Sequence, residues 1–266
     1  MKKDSFSFPG IVFLAVSAVM ALPVIFLVMM SFSGNWQWPF ILPRSMSFRA
    51  WKYVMGTSSG TWPSILTSLK IALGTSFINI LLAIPAGNAL GRYNFPLKRA
   101  IEIFLMLPIL VPPVVILMGM HRTFMYLGLT ESITGVIIAH ILPTLPFMIR
   151  ALQISFSILG YKWEEQAMVL GASPSLRFRC IVLPFILPGI VAGTALTVLI
   201  SMSQYVITLL IGEGQVITLT MRMFPYLQGG DQATGSAYAV LFAIVALFLL
   251  VLMDIFLNRL YKEKRM

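Results

Sequence analysis

Six separate runs of mostly apolar residues, each about 20 residues long or longer, limit what this chain can become. A helix needs about 20 apolar residues to cross the hydrocarbon of a bilayer. The runs lie at about 9–32, 65–90, 101–120, 133–154, 181–211 and 237–257, and the fifth is longer than one crossing requires. Only 11% of the 266 residues are charged, against about a quarter in a soluble domain. A bilayer as solvent accounts for both facts. The expected fold is an all-α membrane protein with six transmembrane helices forming a single domain over 1–266. Met1-Lys2-Lys3 before an apolar run resembles a signal peptide, but the run continues from Ile11 to Met30. That exceeds a cleaved signal's apolar core, so an uncleaved first span is expected.

The net charge is +10, yet the basic residues form no single patch of the kind that binds nucleic acid. They sit in short segments between the apolar runs. With the N-terminus inside, the inner segments hold Lys2, Lys3, Arg92, Lys98, Arg99, Arg150, Lys162, Arg177, Arg179, Arg259, Lys262, Lys264 and Arg265, thirteen of the nineteen. Arg44, Arg49, Lys52, Lys70, Arg122 and Arg222 fall on the other side. Basic residues concentrate in cytoplasmic loops, so both termini are expected in the cytoplasm, with the chain in the inner membrane. Lys70 is long enough to snorkel to the interface; lining a pathway is the alternative. Glu102 and Asp254 lie near span ends and can reach the interface.

The first outer loop is rich in tryptophan, with Trp36, Trp38, Trp51 and Trp62. These rings suit the headgroup region, or a docking surface for an extracytoplasmic partner. The second outer loop, Gly212 to Ser236, carries Glu213 and Asp231 and is a second candidate surface. One cysteine, Cys180, excludes an intrachain disulfide. Two histidines and one cysteine supply no structural zinc set, and the seventeen methionines show no ligand spacing, so no metal site is expected.

The largest inner segment, about 155–180, lies between the fourth and fifth runs. Lys162 to Leu170 favours helix and has neither proline nor glycine. Gly171 then suits a helix end that needs a positive φ. Ser173 offers an N-cap and Pro174 the first helical position. Two short helices joined by a tight turn are predicted, the second leading into the fifth span. The bland reading is an interfacial amphipathic helix without a partner; the functional one is an object that a soluble partner grips.

Glu165-Gln166-Ala167, Gly171, Ile181 and Leu183-Pro184 resemble the EAA loop of the permease subunits of type I binding-protein-dependent ABC importers. The spacing matches at every point, and Gln166 stands where the pattern has its first alanine. Short flanks and the run Ser201-Met202-Ser203-Gln204-Tyr205 look closest to the polyamine, thiamine and ferric-iron branch; the sugar branch is the rival. The resemblance implies a type I permease fold and a coupling helix that docks in an ATPase subunit. There Glu165 would pair with a basic group, Ala167 would permit close packing and Gly171 would form the turn. It implies an ATPase dimer, a second and distinct permease, an extracytoplasmic substrate-binding protein and lipid as partners. ATP and Mg would be bound by the ATPase subunits, with no cofactor and no catalytic residue on this chain. The implied solute is small and polar or cationic, such as a polyamine. One negative agrees: no Gly-x-x-x-x-Gly-Lys-Ser/Thr phosphate loop occurs.

Prolines interrupt spans three to five at Pro108, Pro112, Pro113, Pro143, Pro146, Pro184 and Pro188. They free backbone carbonyls, and polar side chains within spans face the bundle interior. His140, Ser201, Ser203, Gln204 and Tyr205 are therefore candidates to line a cavity between these spans. The alternative for each is helix–helix hydrogen bonding. A stand-alone secondary transporter or channel would call for inverted repeats and mid-span carboxylates, and neither is seen. A membrane-embedded enzyme would need clustered His, Asp or Glu near the interface, which two separated histidines do not provide.

Overall fold

The computed structural model describes residues 8–34, 36, 43 and 45–262. Lys2, Lys3, Trp38, Arg44, Lys264 and Arg265, which bear on the charge and tryptophan arguments, lie outside the described residues. Among the described residues there is no strand, only an isolated bridge between Ser33 and Met46. The helices are α1 (Phe8–Ser31), α2 (Arg49–Met55), α3 (Thr61–Arg92), α4 (Lys98–Leu110), α5 (Pro113–Tyr126), α6 (Ile133–Leu159), α7 (Lys162–Val169), α8 (Pro174–Arg177), α9 (Leu183–Ser203), α10 (Val206–Gly212), α11 (Leu219–Gln228) and α12 (Gln232–Lys262). Among the described residues five helical segments are long and apolar enough to cross a membrane, and α4 with α5 makes a sixth if that bent pair is one span.

Two spans differ from the sequence expectation. The third is not one helix: α4 and α5 meet at 94°. Val111 and Pro112 adopt extended ψ values of 132° and 128°. Each precedes a proline, whose ring disfavours helical geometry in the residue before it. The fifth run also breaks. Its helix stops at Ser203, Gln204 takes ψ 101°, and α10 restarts at Val206. That break explains why the run exceeded one crossing. At its other end, α8 passes into α9 through a π-type turn over Phe178–Val182.

The chain packs as two compact units, residues 1–62 with 222–244, and 63–221 with 245–266. In the first, α1 is exposed at every position from Val12 to Phe26 and apolar at all of them but Ser17, as suits a helix solvated by lipid. Its C-terminal end is tied down by aromatic and polar contacts. Trp51 stacks on Phe32 at 5.6 Å and donates Nε1–H to Ser31 Oγ at 3.2 Å. Trp51 is thus a packing residue, whereas Trp62 is half exposed. Arg49 forks onto Asp231 at 2.9 and 3.1 Å. That guanidinium holds the Asp231 carboxyl below its usual range. Thr61 and the fully buried Tyr238 share a 3.0 Å hydrogen bond.

In the second unit α6 is the central helix. One cluster gathers Leu90, Met148, Leu152, Phe156 and Ile186, and another gathers Ile71, Leu117, Val136, Ala139 and Ile211. Glycines let the neighbouring helices approach α6. A Cβ at Gly87 would stand 2.8 Å from Leu152 Cβ, and one at Gly91 would stand 2.6 Å from the Gln153 carbonyl. On α9, a Cβ at Gly189 would collide with Ser155 Oγ, and one at Gly193 with Met148 Sδ. Both pairs are spaced Gly-x-x-x-Gly, the small-residue pattern that lets membrane helices pack closely where lipid provides no hydrophobic drive. Gly87, Gly91, Gly189 and Gly193 stand at this spacing in the sequence itself.

Candidate functional site

Two features of the second unit carry chemistry: an elbow between α6 and α9, and a buried polar track through α3, α6 and α9. The elbow follows its local sequence. Gly160 (φ 61°) ends α6 and α7 begins at Lys162. At its far end Gly171 takes φ 80°. Its N–H bonds the Met168 carbonyl at 3.0 Å, and the Ala172 N–H bonds the Ala167 carbonyl at 2.9 Å. This paired closure is the glycine-dependent helix stop. Ser173 Oγ accepts from the Leu176 N–H, and Pro174 fills the first helical position. The predicted pair of helices and its turn are thus present.

On α7 Glu165 and Gln166 are exposed and Ala167 is half buried; Gly171, in the turn that follows, is exposed. Around them Trp163, Met168, Val169, Leu170 and Leu176 are exposed at 61%, 56%, 87%, 85% and 52%. The adjacent Glu164 behaves differently. It pairs with Arg92 of α3 at 2.6 Å, and its side chain is largely covered. The Arg92 side chain is 3% exposed, and its guanidinium sits 4.9 Å from the Phe156 ring centre and 5.0 Å from that of Tyr161. The sequence reading missed Arg92 and Glu164 as partners. They lie in different segments, and no local signal joins them.

The polar track begins at Asn79 of α3. Its amide donates to Thr144 Oγ1 at 2.7 Å and, more weakly, to Thr197 Oγ1 at 3.4 Å. Thr144 donates to the His140 carbonyl at 2.6 Å. Pro143 and Pro146, on either side of Thr144 in α6, have no N–H to give the carbonyls of Ala139 and Leu142. The His140 ring bridges Ser201 Oγ at 2.9 Å and Thr208 Oγ1 at 3.2 Å. Thr208 spends its own proton on the Gln204 carbonyl, so it accepts from His140 Nε2–H. Nδ1 is then left to accept from Ser201, which assigns the neutral Nε2–H tautomer from the network.

The structure therefore brings His140 and Ser201 together, fully and almost fully buried. It does not gather all five candidates. Ser203 is exposed and donates back to the Ile200 carbonyl at 2.8 Å, while Gln204 and Tyr205 are half buried at the helix break. The cavity expected between spans three, four and five is small, about 30 Å³, lined by Pro108, Ile116, Pro143, Gln204 and Ile207 among others. A larger groove of about 630 Å³, against α4, α5 and α6, is apolar throughout rather than polar, lined by Phe104, Val111, Met120, Phe124, Leu142 and Ile149 among others. Asn79, Thr144, Thr197 and Thr208 are the polar members the sequence reading missed. A search for Asn and Thr inside the runs would have found them. The loop carboxylates are also engaged: Glu213 pairs with His121 at 2.8 Å and Asp231 with Arg49.

Long apolar helices, proline-broken spans, a buried polar track and an exposed elbow between two spans are the features of a multi-span membrane protein. The family described as "Binding-protein-dependent transport system inner membrane component" matches residues 79–266, and the chain belongs to it. The chain is 30% identical over 219 residues to the molybdenum transport system permease protein ModB of Haemophilus influenzae, covering 76% of this chain and 95% of that protein. It is 26% identical over 241 residues to the putative 2-aminoethylphosphonate transport system permease protein PhnV of Salmonella typhimurium, covering 90% and 89%. Among solved structures, a bacterial ABC transporter involved in the import of alginate matches with TM-score 0.71 at 17% identity, over 96% of this chain and 98% of that one. The fold is that of a type I ABC importer permease. The chain is an inner-membrane permease subunit of such an importer.

Proposed function

We propose that the α7–α8 elbow is the coupling element through which an ATPase subunit drives this permease, with Glu165, Gln166, Ala167 and Gly171 in contact with that subunit. The observation that carries the reading is the elbow's surface. Glu165 points outward beside Val169 and Leu170, which are 87% and 85% exposed. The helix is only eight residues long and cannot sink into a bilayer as a span. An apolar tip beside an exposed acid on a glycine-closed turn suits a protein groove with a basic group. On this reading the elbow lies in the cytoplasm with both termini, an orientation that the bias of the basic residues supports.

On this reading ATP and Mg bind to a pair of ATPase subunits. Their closure moves the elbow, and the spans rotate as bodies to alternate access. A second, distinct permease completes the pathway, and an extracytoplasmic binding protein delivers solute. His140, Ser201, Ser203, Gln204 and Tyr205 form this chain's share of that pathway, joined by Asn79 and Thr144.

For the solute, a small oxyanion fits better than a polyamine. The relatives reported above are named for molybdenum and 2-aminoethylphosphonate transport. The track offers amide, hydroxyl and imidazole groups and has no carboxylate to neutralise a polycation. The test uses the complex reconstituted in vesicles with its binding protein, offering molybdate, 2-aminoethylphosphonate and spermidine separately. Uptake of either oxyanion with no spermidine uptake supports the assignment; spermidine uptake alone overturns it. In the same vesicles Glu165→Ala lowers uptake and Glu165→Lys lowers it further, while the chain remains inserted. Unchanged uptake in both variants removes Glu165 from the contact.

A further inference from the structure

We infer that Arg92 and Glu164 are positioning residues that form a joint carrying motion of the elbow into α3. This rests on the coupling role proposed for the elbow and names a second route out of it. The elbow is joined by covalent chain to two spans: to α6 through Gly160 and Tyr161, and to α9 through α8 and its π-type turn. Neither of these covalent connections runs to α3. The ion pair does, at 2.6 Å, from the last residue of α3 to the first turn of α7.

Its surroundings make it stiff. The Arg92 side chain is 3% exposed and that of Glu164 is 20% exposed. The guanidinium sits against the Phe156 and Tyr161 rings at 4.9 and 5.0 Å, where water is largely excluded and the planar cation favours aromatic faces. Tyr93, next along the chain, packs edge-on against Tyr161 at 5.5 Å. Behind the pair, Gly91 lets the end of α3 rest on α6 at the Gln153 carbonyl and Phe156 Cβ. A partly buried charge pair resists separation because each ion would be left without its partner. Pulling on α7 therefore pulls on α3. Adjacent acids divide the work: Glu165 faces the partner and Glu164 faces the chain's own bundle.

The test uses the assembled complex, with Cys180 replaced by serine and nitroxide pairs placed at exposed positions. A pair at Met168 and Leu196 reports the elbow relative to α9; a pair at Leu82 and Leu196 reports α3 relative to α9. Distances are measured without nucleotide and after trapping with ATP and vanadate. In the parent complex both distances change on trapping. In Arg92→Gln and in Glu164→Gln the elbow distance still changes, the α3 change falls by at least half, and ATP hydrolysis continues while uptake drops roughly tenfold. The exchange Arg92→Glu with Glu164→Arg recovers part of both the α3 change and the uptake. An α3 change of parental size in Glu164→Gln overturns the joint, and so does parental uptake in both single variants. If the elbow distance stays fixed in the parent complex, the coupling reading itself fails, which is a separate outcome. Should Arg92→Gln fail to assemble, the near-isosteric Glu164→Gln decides the question alone.

Discussion

Two sets of large apolar side chains stand uncovered, and they are not equivalent. Along α1 every position from Val12 to Phe26 is exposed, and the stretch contains no charge. At the elbow, Val169 and Leu170 are exposed to a similar or greater degree, but Lys162, Glu165 and Arg179 lie within ten residues of them. A surface that stays apolar over a whole span is solvated by lipid. One that is apolar for a few residues among charges meets water or another protein. Equal exposure therefore means different things, and the length of the uncharged run separates them.

The sharpest way to break this contrast is to place the same charge in both regions. Met20→Asp puts a carboxylate in the middle of α1 and costs about 2.5–3.5 kcal/mol on insertion scales, read as loss of membrane-inserted chain in a glycosylation-reporter assay. Leu170→Asp leaves insertion intact and abolishes co-purification of the ATPase. If both variants insert poorly, the elbow is also lipid-solvated and the contrast falls.

Positions packed between helices respond differently. Gly91→Val forces a methyl-bearing Cβ to within 2.6 Å of the Gln153 carbonyl on α6. Overpacking of this kind costs about 1–3 kcal/mol, measured as a lowered thermal midpoint of the detergent-solubilised chain. Asn79→Leu removes the donor to Thr144 and costs about 1 kcal/mol, since interhelical hydrogen bonds in membranes are worth roughly that. A midpoint unchanged from the parent would show that the polar track contributes nothing to stability.

The smallest effect belongs to the exposed pair Arg49–Asp231. Asp231 is held below its usual range, first by the hydrogen bond from Arg49. A depressed carboxyl pKa stabilises the fold above the unfolded value of about 4, and that contribution disappears as pH falls through the lower folded value. The side chains are 56% and 34% exposed, so the contribution is under about 1 kcal/mol after screening. Asp231→Asn removes the part of the acid-side midpoint shift that this pair supplies, and equal pH profiles for parent and variant would show the pair to be inert.

Much of the frame was legible beforehand. Apolar run length located the spans, because bilayer thickness sets it. Gly171, Ser173 and Pro174 marked the elbow, because turns and caps depend on φ and on hydrogen bonds within a few residues. Pro112 and Pro113 were also visible, yet they do not say by how much a span bends. The 94° angle between α4 and α5 is visible only in the folded chain.

What the amino-acid order determined alone is local or one-dimensional: how many segments suit a bilayer, where they stop, and where the chain turns back. Tertiary structure decided which polar groups meet. Neighbours on a helix are rotated by about 100°, so Glu164 and Glu165 face different ways. Only the arrival of Arg92 from the end of α3 reveals which acid is enclosed and which is presented. His140 meets Ser201 and Thr208 for the same reason: residues far apart in the chain become partners when α6 packs against α9 and α10.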